Sequence, residues 1–158
     1  KRAWLLSLML TLALRGNDCL PRTFKALSEN LNQPISVQQW TKEIMPNGER
    51  PSLAKALEVW TKHFPHDHLV CVYSKFDSIP AQDRVIKFEK NYLWIGEADP
   101  KVAGDSKDLT HAAVLTISNA GTFRLCSGME DGKLYWEWPS EHEFFARTFL
   151  VYEIIHDF

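Results

Sequence analysis

The sequence predicts an α+β protein in which an N-terminal helical region is followed by a roughly six-stranded antiparallel meander and a C-terminal helix. Three observations carry this. Up to Pro65 the apolar residues recur three and four apart, the spacing of one helix face. From Leu69 onward, β-branched and aromatic runs alternate with turn residues, and the connections are too short for the crossovers of a parallel sheet. Near the end, Ser140 and Glu143 have the spacing of a capping box ahead of an apolar series. The change of character at Pro65 divides the chain into residues 1–64, helical, and 65–158, sheet with a last helix. At 158 residues these form one domain or two small ones sharing an interface. With 45% hydrophobic and 24% charged residues, a disordered chain is excluded.

Lys1-Arg2 precedes AWLLSLMLTLAL, the order of a secretory n-region and h-region, too short to span a membrane. The expectation is a retained helix, Ala3 to Leu14, apolar on nearly every side, which Arg15-Gly16-Asn17 ends. A second helix begins near Leu20-Pro21 and carries Ala26, Leu27 and Leu31 at helical spacing. Asn32-Gln33-Pro34 breaks it, and Val37 and Trp40 mark a short third helix. Met45-Pro46-Asn47-Gly48 reads as a turn. Pro51 then starts a helix from Ser52 to Phe64 with Leu53, Ala56, Leu57 and Trp60 on one stripe.

The expected strands are Leu69 to Phe76, Val85 to Phe88, Tyr92 to Ile95, Ala112 to Ser118, Thr122 to Cys126 and Leu134 to Trp138. Ala98 to Asp108 is polar and reads as a loop, while Asn119-Ala120-Gly121 and Glu130-Asp131-Gly132 read as turns. The last helix should carry Phe144, Phe145, Thr148, Phe149, Val151, Tyr152, Ile155 and Phe158 and lie across the sheet. Trp136 and Trp138 share a face of their strand. With Trp94 they form either core beneath the last helix or a stacking platform for a ligand or single-stranded nucleic acid.

The segment Arg22 to His63 holds two short helices across a turn, then Gly48-Glu49-Arg50-Pro51-Ser52 and a further amphipathic helix. On these residues it resembles the helix-turn-helix of phage-repressor-type regulators. Pro34 in the turn and the length of the loop Thr41 to Glu49 depart from that pattern. The resemblance implies double-stranded DNA as partner, with Ser36, Gln38, Gln39, Lys42 and Arg50 as the nucleic-acid-binding residues and Val37 and Trp40 facing the core. Charge is distributed to match: residues 1–64 carry a balance of +4 and residues 65–158 of −6. The same asymmetry would equally help the two halves dock.

His63, His66, Asp67 and His68 have ligand-type side chains, but Pro65 keeps them off a single helix face and the spacing matches no common zinc signature, so no metal site is expected. Gly104-Asp105-Ser106 with His111 holds the residue types of a hydrolase without the nucleophile elbow. No phosphate-binding loop or dinucleotide fingerprint is present, and no cofactor is expected. Cys19, Cys71 and Cys126 are odd in number and far apart, which argues against a disulfide framework and for a reducing cytoplasm. Cys71 and Cys126 read as small buried hydrophobes.

The sequence therefore points to a non-enzymatic, cytoplasmic regulator that binds DNA through its helical region, its acidic half free for a protein partner, with no membrane association. The spare apolar face of Ala3 to Leu14 adds a homodimer with Trp4, Leu8 and Thr11 near its axis. The alternative is a protein-interaction module of adaptor, inhibitor or immunity type with no nucleic-acid binding. An enzyme built on the His cluster comes third.

Overall fold

Serine caps and chain breakers set the helices. The computed structural model describes residues 19–48, 51–76, 90–97, 110–118, 120–126, 135–138 and 141–157. Helix α1 (Cys19–Asn30) buries Cys19, Leu20, Phe24 and Leu27 on one face. It ends as Asn32 turns left-handed, with φ 59°. The buried Ser28 organises the following turn, for its hydroxyl donates to the Lys25 carbonyl and accepts the Ile35 N–H at 3.0 Å. Ser36 and Ser52 then cap α2 (Val37–Ile44) and α3 (Leu53–His63), each accepting the backbone N–H three residues on at 3.1 Å. Thr41 to Ile44 continue α2 where the sequence suggested a loop; Ile44 is one turn beyond Trp40, and burial of both extends the helix.

The three helices meet through aromatic rings. Trp40 and Trp60 stack with centroids 5.8 Å apart, Phe24 meets both edge-on at 5.1 Å, and Phe64 lies 4.5 Å from Trp60. Trp60 Nε1 also donates to the Asp67 carbonyl at 2.8 Å, tying α3 to the first strand.

The strands are β1 (Asp67–Ser74), β2 (Tyr92–Glu97), β3 (Thr110–Ile117), β4 (Phe123–Cys126), β5 (Tyr135–Trp138) and β6 (Thr148–His156). All pairings are antiparallel, in the order β1-β6-β2-β3-β4-β5. The α+β class and five of the expected strands are present. Ala3 to Leu14, Val85 to Phe88 and the whole of Ala98 to Asp108 lie outside the described residues, as does Ser140 of the capping box.

The C-terminal helix is corrected. Only a short helix, α4 (Glu141–Arg147), forms, and from Thr148 the chain is strand. Its apolar residues satisfy both helical and alternating spacing, but Thr148 to Ile155 is rich in β-branched and aromatic side chains, and both faces of β6 find cover. The meander is corrected with it, because β6 inserts between β1 and β2.

One sheet face joins the helices in a single cluster that includes Leu93, Ile95, Ala112, Val114, Leu150 and Tyr152. The core therefore crosses the boundary at Pro65. On the opposite face Tyr92, Trp94, Leu115, Phe123, Trp138 and Val151 pack with Phe144 of α4. Trp94 and Trp138, 5.9 Å apart, are buried here, so they form core and not a stacking platform. Trp94 Nε1 donates to Thr148 Oγ1 at 2.8 Å, and that hydroxyl donates to the Phe144 carbonyl at 2.7 Å, which pins the change from helix to strand. Beside it the β2–β6 register shifts between Ile95 and Gly96, where a Cβ would collide with the Trp94 ring and the Arg147 carbonyl. Among the described residues no helix is long and apolar enough to cross a membrane.

Candidate nucleic-acid interface

Burial of Trp40 and Ile44 determines which side of α2 meets solvent: Gln38, Gln39 and Lys42 are exposed, while Val37 is half-buried at the edge. Three of the five expected binding residues therefore share one exposed surface. Ser36 is exposed too, and its hydroxyl accepts the cap bond from Gln39. Arg50 lies outside the described residues. The turn between α1 and α2 spans residues 31–36 and is longer than the three or four residues typical of helix-turn-helix units.

Glu43 organises the junction of α2 with α3. Its carboxylate accepts the Gln39 amide at 2.9 Å and meets His63 Nε2 at 2.6 Å, with Lys62 Nζ 3.9 Å away. Desolvation raises its pKa, but the Gln39 and His63 hydrogen bonds and the nearby positive charge outweigh that and hold it below the usual carboxylate range. Beside this pair a groove of about 500 Å³ opens between the helices, lined by Lys42, Lys55, Lys62, Glu43, Glu58 and Val59 among others. The sequence did carry a signal for Lys55 and Lys62: they lie seven apart, on one face of α3. Nothing in it foretold the Glu43–His63 pair, which joins residues of two different helices.

The histidines disperse. His63 serves Glu43, whereas His66 Nδ1 and His68 Nε2 approach Asp157 Oδ2 at 3.9 and 3.3 Å, and His156 Nδ1 meets Asp67 Oδ1 at 2.9 Å. The hydrogen bond from His68 leads the effects that hold Asp157 below its ordinary range. Among the described residues no group of three or more His, Cys, Asp or Glu is placed to hold a metal ion.

His111 lies on β3, against which α1 packs. Gly104-Asp105-Ser106 lie outside the described residues. Comparison of the sequence with models of known protein families and with curated proteins returns no match.

Proposed function

We propose that the protein is a non-enzymatic regulator that binds double-stranded DNA through the exposed side of α2. The observation that carries this reading is the grouping of Gln38, Gln39 and Lys42 on a helix anchored from behind by Trp40 and Ile44. A glutamine amide pairs with the N6 and N7 edge of adenine, and lysine neutralises phosphate. Gln38 supplies the base contact, because the Gln39 amide is already engaged by Glu43. The regulator works in a reducing cytoplasm as a homodimer, which pairs two half-sites, and its acidic half receives a protein partner. Fluorescence anisotropy with a mixed-sequence duplex tests the reading. Binding should be present at low salt and weaken steeply as salt rises, and Lys42→Ala should make the log–log salt slope shallower by about 0.9. Absence of binding at low salt sinks it.

A further inference from the structure

We infer that the groove between α2 and α3 holds a run of DNA phosphates, with Lys42, Lys55 and Lys62 as their partners. The inference rests on the DNA-binding reading and extends it to residues of α3 outside the recognition helix. The groove continues the exposed side of α2, since Lys42 belongs to both and Gln39 holds the Glu43 wall. Glu43 is held by Gln39 and His63 and lies 3.9 Å from Lys62 Nζ, and the lining as a whole sets three lysines against two glutamates. The lysine ammonium groups around this lining suit a polyanion.

Length agrees with charge. Lys55 and Lys62 are seven residues apart on α3, roughly 10 Å along the helix. A separation of that size places the two lysines against different phosphates of one DNA strand. Lys55 lies in the first turn of α3, where the helix dipole favours an anion, and its backbone N–H is engaged by Ser52, so the lysine side chain is the group left to reach the ligand.

The test is a salt titration of binding to a fluorescein-labelled mixed duplex, using the full chain. Lys55→Gln with Lys62→Gln should make the log–log slope shallower by about 1.8, and Lys62→Gln alone by about 0.9. Gln38→Ala should weaken binding and leave the slope unchanged, because a base contact releases no counterion. Because Lys55 and Lys62 are exposed, the double variant should melt with the wild type, which separates lost contacts from lost folding. If the wild type binds DNA and the lysine variants keep its slope, the groove inference falls and the DNA reading stands. If the wild type binds no duplex, both fall. Tighter competition by an acidic peptide than by duplex DNA would also overturn the inference.

Discussion

Trp60→Ala is expected to cost about 3–5 kcal/mol of folding stability, the range for truncating a large buried aromatic, with about 1 kcal/mol more from the lost indole hydrogen bond. Trp60 is fully buried and touches every part of the helical layer: it stacks on Trp40 and Phe64, meets Phe24 edge-on, and holds the first residue of β1 through Nε1. The cavity would open where three helices and the sheet converge, so no single element can move to refill it. Since a domain of this size has roughly 5–15 kcal/mol in total, the variant should be partly unfolded or melt far below the wild type. Trp60→Phe keeps a stacking ring and should recover more than half of the loss. Urea denaturation followed by circular dichroism decides it; a cost below about 1 kcal/mol for Trp60→Ala would show that the aromatic cluster is not the keystone of the helical layer.

Gly96→Ala should rank next, at roughly 3 kcal/mol, from overpacking combined with a broken buried hydrogen bond. A new Cβ would meet two obstacles. One is the Arg147 carbonyl, a backbone group at the join of α4 and β6 that cannot rotate aside. The other is the Trp94 ring, which is tethered by its bond to Thr148. Relief therefore requires either shifting the β2–β6 register or freeing Trp94, which strands a buried indole N–H. Denaturant midpoints and the near-ultraviolet circular dichroism of the tryptophans should both change. An alanine variant as stable as the wild type would mean that the bulge is soft.

How far the sequence revealed this structure depended on how local each signal was. Pro34, Pro51 and Pro65 act within a few residues of themselves, and the helix limits they imply are close to those found. Alternation likewise located β2 to β5. The last segment failed because Thr148 to Ile155 fits two periods, and the choice between them was made by β1 and β2, which supply backbone partners on both sides. Of the candidate interface, the exposed side of α2 was legible from Trp40 and its spacing. The Glu43 junction was not, because it is a contact between helices and no periodicity within one helix encodes it.

The position of β6 bears on how the chain is made. Among the described residues β1 pairs only with β6, and Ser74 must find Leu150 while Asp67 finds His156. A ribosome adding roughly 5–20 residues per second therefore releases β1 several seconds before its neighbour exists. During that interval an apolar strand with both ladder edges open is in water, and the pairing that finally closes is among the most distant in the chain. The nascent protein should accordingly depend on a holding chaperone until β6 has emerged, whereas β2 to β5, neighbours in sequence and in the sheet, can pair before it.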